Sequence, residues 1–294
     1  MTGEGRIVDL HVHSNHSDGT FTPSELISYA VEKKLSVMAL TDHDTVDGLK
    51  EIREAAEKTE NSPEIVPGIE LSTDRDGKDI HIVGLFINER DEAFLSWLKK
   101  FQDSRDLRNE TMCERLRTGA GMDISFEALK REFPGAVITR AHYAKYMLIH
   151  GITHSLKEGF DRYVGDHSPF FVPREKVSPE EGIKLILSAG GIPVLAHPFQ
   201  YAFGRERLER FVAELKEAGL IAIEAYYTTH SPSDTREILE LAERYGLFIS
   251  GGSDFHGNNK VGVDLAVGKG DLRVSYDIYE RLREYHEKAP VSGS

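Results

Sequence analysis

The sequence predicts an α/β protein whose repeated strand and helix units form a parallel sheet or a (β/α) barrel, interrupted by an inserted helical subdomain. Three observations support this prediction. Short apolar runs of strand length alternate with longer helical patterns along most of the chain. The runs are almost continuously apolar, as in strands that are buried on both faces. One long central segment contains helical patterns and no convincing strand.

The elements follow one another in β/α order before and after that segment. The strand candidates are RIVDLHVHS, SVMALTDHD, EIVPGIELST, DIHIVGLFI, GIPVLAHP, LIAIEAYY and LFISGGSDFH. Thr22, Pro23 and Glu25 form the capping box typical of a helix start. A second helix is predicted to begin in the stretch SPEE at residues 178–181, and Ser233 is predicted to cap a third.

The central segment breaks this rhythm. It contains the helical patterns DEAFLSWLKKFQDSRDLRNETMCERLR, SFEALKREF and TRAHYAKYMLIHG. A connection between a strand and the next helix is usually far shorter. We therefore predict a helical subdomain at residues 91–177, inserted into a barrel formed by residues 1–90 and 178–294.

Composition limits the classes of partner. Of the 294 residues, 39% are hydrophobic and 29% are charged, so the chain can bury a core. The formal charge of −13 argues against a DNA track, although bound divalent cations allow a small anionic substrate. The single cysteine, Cys113, lies in a helical pattern, and no signal peptide or membrane-spanning run is evident. We expect a cytoplasmic protein without a membrane partner.

Metal-ligand side chains gather near the ends of the predicted strands. Nine of them stand out: His11, His13, Asp18, His43, Glu70, His81, His197, Asp254 and His256. In barrels the loops after the strands converge on one mouth, which is where catalytic groups lie. His81 is the exception, because it comes early in its run. This exception predicts either a strand of different direction or a distorted barrel.

Each of these residues alone is more simply explained as a turn, strand-end or capping residue, but the whole set is not. Nine imidazole and carboxylate groups crowded at one mouth would leave many polar groups unsatisfied unless cations bound them. Nitrogen and oxygen ligands without thiolate suit manganese, iron, cobalt or zinc. A single catalytic metal takes about three protein ligands. The set therefore predicts two or three divalent transition-metal ions, with manganese first and iron or zinc as alternatives.

The chain resembles the PHP (polymerase and histidinol phosphatase) family. DLHVHSNHSDG resembles the first family motif, LTDHDT the second, VPGIE with DIHIVG the middle, AHP the third and GSDFH the last. TPSELISYA, VPGIELST, ITRAHYAKY and YVGDHSPFFVP resemble one branch more closely, the stand-alone phosphoesterases that include 3′,5′-nucleotide bisphosphate phosphatases. In that branch a small helical domain interrupts the barrel.

The resemblance implies a distorted seven-stranded barrel of PHP type with a trinuclear metal centre. One metal would use His11, His13, Glu70 and Asp254, a second would share Glu70 and add His81 and His197, and a third would take Asp18, His43 and His256. Asp18, His43, Glu70, His197 and Asp254 are also the predicted catalytic residues. A metal-activated hydroxide would be the nucleophile, since coordination lowers the pKa of water.

Substrate contacts are predicted outside the metal set. Arg140 and His142 match the RAH motif of the branch, and the Arg140 guanidinium can grip a phosphate through two hydrogen bonds. His230 follows a strand end and is predicted to reach the leaving group. Asp42 and Asp44 flank His43 and are predicted to orient it. Base stacking by Tyr143, Tyr146, Phe170 and Phe171 is weighed against a simpler core role.

These features predict a metal-dependent phosphomonoesterase acting on a small phosphorylated nucleotide. The expected reaction removes the 3′-phosphate of 3′,5′-bisphosphonucleosides, with short 5′-phosphorylated RNA as a further substrate. The alternatives are a histidinol phosphatase or another small-molecule phosphatase, and a non-catalytic PHP scaffold. No oligomeric state is predicted.

Overall fold

The computed structural model describes residues 5–165, 167–172 and 177–289. At its centre an eight-stranded mixed sheet curls into a nearly closed barrel, which confirms the predicted α/β barrel class. The strands are β1 (Ile7–Val12), β2 (Val37–Leu40), β3 (Glu64–Arg75), β4 (Lys78–Leu85), β5 (Ile192–Leu195), β6 (Ala222–Tyr227), β7 (Phe248–Gly252) and β8 (Val274–Ser275). They lie side by side in the order β7-β6-β5-β4-β3-β2-β1-β8.

Helices surround the barrel and fill the central segment of the chain. They are α1 (Pro23–Glu32), α2 (Gly48–Lys58), α3 (Glu92–Ala120), α4 (Phe126–Glu132), α5 (Arg140–Ile149), α6 (Leu156–Gly159), α7 (Pro179–Ser188), α8 (Arg205–Glu217), α9 (Pro232–Tyr245) and α10 (Tyr276–Lys288). Within the described ranges, no helix combines the length and the apolar character needed to cross a membrane.

Side-chain caps set the helix starts largely as the sequence predicts. The capping box of Thr22 with Glu25 is confirmed at the start of α1, and α7 begins in the same way at Ser178. The predicted cap of α9 at Ser233 is wrong. Ser231 caps this helix, because its hydroxyl accepts a hydrogen bond from the Asp234 backbone N–H at 3.2 Å, and the Asp234 carboxylate accepts one from the Ser231 backbone N–H at 2.8 Å.

The barrel closes where β1 meets the residues that follow β7. The backbone N–H of His13 donates to the carbonyl of Phe255 at 3.0 Å, and that of Asp254 donates to the carbonyl of His11 at 2.9 Å. The seven predicted strands are all present. The eighth, β8, pairs antiparallel with β1 over two residues, which is too short for a hydrophobic pattern to reveal.

One strand, β4, runs opposite to its neighbours. It forms a hairpin with β3, from the pair Arg75 and Lys78 to the pair Gly68 and Leu85, and it is also antiparallel to β5. All the other pairings among β1 to β7 are parallel. The first residues of β4 therefore lie at the same barrel end as the last residues of the parallel strands β1, β2, β3, β5, β6 and β7. This direction explains why His81 comes early in its run.

Between β4 and α7, the described residues form helices and no strand. A separate apolar core holds much of this segment together, with Met112, Leu116, Leu129, Tyr143 and Met147 among its members. The start of α3 belongs instead to the barrel layer, where Phe94 and Leu98 pack into the main core. The separate core supports the proposed subdomain at residues 91–177, with the barrel at residues 1–90 and 178–294.

Candidate metal centre

All nine predicted ligands meet at one end of the barrel, the end at which β4 begins. We call these nine residues the metal-ligand cluster. Groups of ligand atoms within 4.8 Å of one another come from three sets: His11, His13, Glu70 and Asp254; His13, Asp18, His43 and His256; and His43, Glu70 and His81. Each set mixes residues from loops or strands that are distant in sequence. The fold therefore assembles the cluster at the barrel mouth from several strands and the loops that follow them, with Glu70 inside β3, which continues to Arg75.

Glu70 on β3 lies at the middle of the cluster. One carboxylate oxygen, Oε1, lies 2.9 Å from His81 Nδ1 and 3.0 Å from His197 Nε2. The other, Oε2, lies 3.1 Å from the Nε2 atoms of His11 and His13 and 3.3 Å from His43 Nδ1. A carboxylate with a different set of imidazoles at each oxygen has the arrangement of a bridging ligand.

Two aspartates face the cluster from either side of His13 and His256. Asp18 Oδ1 lies 3.2 Å from His256 Nε2 and 3.9 Å from His43 Nε2. Asp254 Oδ1 lies 3.2 Å from His256 Nδ1 and 3.4 Å from His13 Nε2. The rings of His13 and His256 stack with centroids 4.1 Å apart. The cluster therefore combines three carboxylates with six imidazoles.

Two residues of the cluster have protonation states that suit cation binding. Burial opposes the ionisation of Glu70, but the neighbouring His11, His43 and His81 hold the pKa of its carboxyl well below the usual range. Burial and the nearby His256 lower the pKa of His13 to about 3. The carboxylate is thus charged and this imidazole is neutral, which are the forms that bind metals.

Several ligand atoms lack a hydrogen bond of suitable geometry within the described part of the chain. They include His11 Nε2, His13 Nε2, Asp18 Oδ1 and His43 Nδ1, all of them buried. Buried polar atoms without partners are costly, because desolvation is not repaid. Nitrogen and oxygen donors left open in this way fit divalent transition metals.

Acidic residues beneath the cluster hold its ligands in place, and sequence reasoning missed two of them. Glu224 on β6 accepts a hydrogen bond from His11 Nδ1 at 3.0 Å and another from the backbone N–H of His197 at 2.7 Å. Asp9 on β1 accepts hydrogen bonds from the backbone N–H groups of Ser253 and Ala266. Burial raises the pKa of Asp9 to about 6. In the sequence, Glu224 and Asp9 can be noticed because each is an acidic residue inside an apolar run.

The two aspartates beside His43 have distinct partners. Asp42 accepts from the backbone N–H of Ser14 at 2.7 Å and from the hydroxyl of Ser17 at 2.5 Å, so it fixes the loop that follows His13. Asp44 accepts from the backbone N–H of Ser72 at 2.8 Å and pairs with Arg105 from α3. This second pair joins the barrel to the helical segment.

A cleft opens from the cluster toward the helical segment, and we call it the arginine cleft. Its lining combines Asp18, His43 and His81 of the cluster with Ser72, Asp79, Arg105, Arg108, Thr139, Arg140, Ala141, Phe160, Phe171 and Val172. Ligand sites typically lie in such clefts between structural units, with a few polar groups to fix orientation. The metal ligands and three guanidinium groups therefore share one concave surface.

The three arginines differ in how their charge is balanced. Arg105 pairs with Asp44, and Arg140 pairs with Asp79 at 2.8 Å. Arg108 is only 7% exposed, and no carboxylate of the described residues lies within ion-pair distance of it. Burial, together with the positive charge of Arg105, lowers the pKa of Arg108 to about 10. A buried cation without a carboxylate partner favours an anionic ligand.

The other predicted substrate contacts lie in different surroundings. Arg140 lines the cleft, with its guanidinium 5.5 Å from the centre of the Phe171 ring. His142 is buried and does not line the cleft. Its Nδ1 accepts a hydrogen bond from the Thr139 backbone N–H at 2.9 Å, and the Thr139 hydroxyl donates to Asp18 at 3.3 Å. His142 thus lies behind Asp18, a predicted metal ligand, and its contact with substrate stays a prediction.

His230 lies on another side of the cluster. Its Nδ1 donates to the carbonyl of Ala225 at 3.0 Å, and its ring lies 5.1 Å from that of Tyr227. Tyr227 donates in turn to Asp254 at 2.7 Å. His230 is therefore separated from the ligand Asp254 by Tyr227, and its contact with a leaving group stays a prediction.

Of the four aromatic residues considered for base stacking, only Phe171 lines the cleft. Tyr143 and Tyr146 are buried in the core of the helical segment, and Phe170 packs against that core. These three residues follow the simpler core interpretation. In the stretch YVGDHSPFFVP, Asp166 and Pro173 lie outside the described residues.

Comparison with known proteins agrees with this site. The model of the PHP domain matches residues 9–217. A 3′,5′-nucleoside bisphosphate phosphatase of Chromobacterium violaceum is 34% identical over 259 residues, which cover 88% of this chain and 90% of the relative. The 5′-3′ exoribonuclease Rnm of Escherichia coli is 33% identical over 250 residues, 85% of each chain. A solved structure from Bifidobacterium adolescentis, assigned as a metal-dependent phosphoesterase, superposes with a TM-score of 0.82 at 26% identity, covering 95% of this chain and 96% of that one.

Proposed function

Because the chain belongs to the PHP domain family and is a hydrolase of phosphoric esters, we propose that it removes the 3′-phosphate of 3′,5′-bisphosphonucleosides. Water adds to phosphorus, the bond between phosphorus and the 3′-oxygen breaks, and the products are a nucleoside 5′-phosphate and inorganic phosphate. Short 5′-phosphorylated RNA is a second substrate within the same proposal. PHP phosphoesterases depend on metals, and two or three divalent ions, manganese first, are part of the proposal.

The observation that carries this proposal is the shared lining of the arginine cleft. The metal-ligand cluster can receive one phosphate, and Arg108 and Arg140 can receive another in the same concave surface. A nucleotide with phosphates on both the 3′ and the 5′ carbon has the two charges that this surface would bind. Charge-assisted hydrogen bonds to guanidinium are among the stronger polar contacts.

The chain's own residues divide the work between them. The cluster would hold the divalent ions, which when bound would activate water and neutralise charge on the phosphoryl group. The catalytic residues of the proposal are Asp18, His43, Glu70, His197 and Asp254. They would hold the positive charge of the ions at the scissile phosphate. Arg108 and Arg140 anchor the second phosphate and so orient the ribose. This anchoring matters in a chain with a net charge of −13, whose general field repels polyanions.

The RNA activity is supported by the exoribonuclease relatives and by the chemistry of an RNA end. The first nucleotide of a 5′-phosphorylated RNA carries phosphate on both its 5′ and its 3′ oxygens, so it presents the same unit as the small substrate. The relatives named as exoribonuclease and as bisphosphate phosphatase are similarly close to this chain, at 33% and 34% identity. Histidinol phosphate, by contrast, carries a single phosphate and leaves the arginines unused.

A side-by-side assay of phosphate release tests the proposal. With Mn²⁺ present, adenosine 3′,5′-bisphosphate should be cleaved with a kcat/KM about tenfold to a hundredfold above that of 3′-AMP, because 3′-AMP loses one phosphate contact worth roughly 1.5–3 kcal/mol. 5′-AMP and histidinol phosphate should be poor substrates. A preference for histidinol phosphate would favour the alternative activity, and equal rates on all four compounds would refute a second anchor.

A further inference from the structure

The two oxygens of Asp254 have different partners. Oδ1 faces the imidazoles of the metal-ligand cluster, at 3.2 Å from His256 Nδ1. Oδ2 points away from them and accepts hydrogen bonds from the Tyr227 hydroxyl, at 2.7 Å, and from the Lys260 ammonium. The ammonium also donates to the Tyr227 oxygen at 3.0 Å. A lysine therefore lies one carboxylate away from the ligand atom of the centre.

The segment that carries Lys260 is fixed over the first loop of the barrel. The Asn259 side chain donates to the carbonyl of Asp18 at 2.8 Å, and the Asn258 backbone N–H donates to the Thr20 hydroxyl at 3.0 Å. Gly257 has a φ of +60°, and a Cβ there would lie 2.1 Å from the Thr20 hydroxyl oxygen. This close approach requires glycine. The position of Lys260 is thus built into the fold.

The ammonium of Lys260 has capacity for one more partner. It carries three N–H donors, and the described contacts are to Asp254 and Tyr227. The side chain is 29% exposed, so part of it faces solvent at the edge of the cluster. A residue that served only to anchor Asp254 would gain nothing from this exposure, whereas an approaching anion would find a donor already in place.

We propose that Lys260 binds an oxygen of the scissile phosphate, or of the phosphate product, beside the metal-ligand cluster. This inference rests on the proposed position of the scissile phosphate at the cluster, and it does not depend on which ester is cleaved. The salt bridge to Asp254 holds the ammonium in position, and its remaining N–H donates to the phosphate. The competing interpretation is that Lys260 only anchors Asp254.

The test is a calorimetric titration of inorganic phosphate into the Mn²⁺-loaded protein. Lys260→Gln keeps an N–H donor for Asp254 but removes the charge, and it should weaken phosphate binding about tenfold. Tyr227→Phe is the matched control, because it removes the other partner of Asp254 and leaves the ammonium. It should change phosphate affinity by less than about threefold. Lys260→Arg keeps the charge and should remain close to the wild type.

Elemental analysis of the same samples separates the two interpretations. Under the proposal, Lys260→Gln retains the metal content of the wild type while losing phosphate affinity. If Lys260→Gln and Tyr227→Phe instead lose metal equally, and phosphate affinity is normal once Mn²⁺ is saturating, the proposal is overturned and Lys260 is an anchor only. Hydrolysis of every phosphomonoester releases inorganic phosphate. This measurement therefore remains valid even if the protein shows no preference for the bisphosphate.

Discussion

The metal-ligand cluster and the arginine cleft balance their charges in opposite ways. In the cluster, carboxylates and imidazoles face one another at about hydrogen-bond distance, with Glu70 between five rings. In the cleft, Arg105 pairs with Asp44 and Arg140 with Asp79, and Arg108 has no carboxylate partner among the described residues. The first arrangement suits cations and the second suits an anion.

This difference indicates a division between chemistry and selection. The ligands of the cluster come from the strand ends of the barrel, whereas Arg105, Arg108 and Arg140 come from α3 and α5. Under the proposed function, the helical segment would select the substrate without contributing ligands to the metals. The salt bridge between Asp44 and Arg105 joins the two regions. Variants in each region should accordingly fail in different ways.

The largest effect is expected in the cluster. Asp254→Ala removes a charged ligand, and activity on every substrate should fall more than about a hundredfold as metal is lost. Elemental analysis and phosphate release measure the two losses together. Asp271→Ala, at an exposed acid, is the control and should match the wild type in both. Full activity in Asp254→Ala would show that the last motif is not part of the site.

A smaller and more selective effect is expected from Arg108. Arg108→Met should lower kcat/KM for adenosine 3′,5′-bisphosphate about tenfold to a hundredfold, because one charge-assisted phosphate contact is lost. Metal content and the rate on 3′-AMP should stay near the wild type. Arg117→Met changes an exposed arginine on the same helix and serves as the control. An equal loss on both nucleotides would place Arg108 outside phosphate selection.

The smallest effect is expected from Arg140, whose charge is already shared with Asp79. Arg140→Ala should raise the KM for the bisphosphate about threefold to tenfold and leave metal content intact. Steady-state kinetics on both nucleotides measure this change. Identical kinetics of the variant and the wild type on every substrate would remove α5 from the site.

The strand ends were predictable because their signal is local. Histidine and acidic residues at the ends of apolar runs indicate where a barrel mouth will form. This pattern located His11, His43 and Asp254. His81 was located too, but its position made sense only once β4 was seen to run antiparallel. Strand direction depends on pairing between distant segments, which no short pattern records.

The arginine cleft was harder to predict because it depends on how α3 docks. Arg105 and Arg108 lie three residues apart in a largely polar helical pattern, where charged residues usually face solvent. Their burial follows from packing against the barrel and α5, which is tertiary information. Glu224 and Asp9 were missed as well, although each has a local signal in the sequence, because each is an acidic residue inside an apolar strand. Arg140 was found through the resemblance of its motif.

A crystal structure with Mn²⁺, 5′-AMP and inorganic phosphate would test the division of labour most directly. Anomalous scattering locates manganese, and the density of the two phosphates shows which region binds each. We predict two or three manganese ions among the nine cluster residues, inorganic phosphate beside them, and the 5′-phosphate of AMP on Arg108 and Arg140. A 5′-phosphate on the metals, or one that makes no contact with these arginines, would contradict the account.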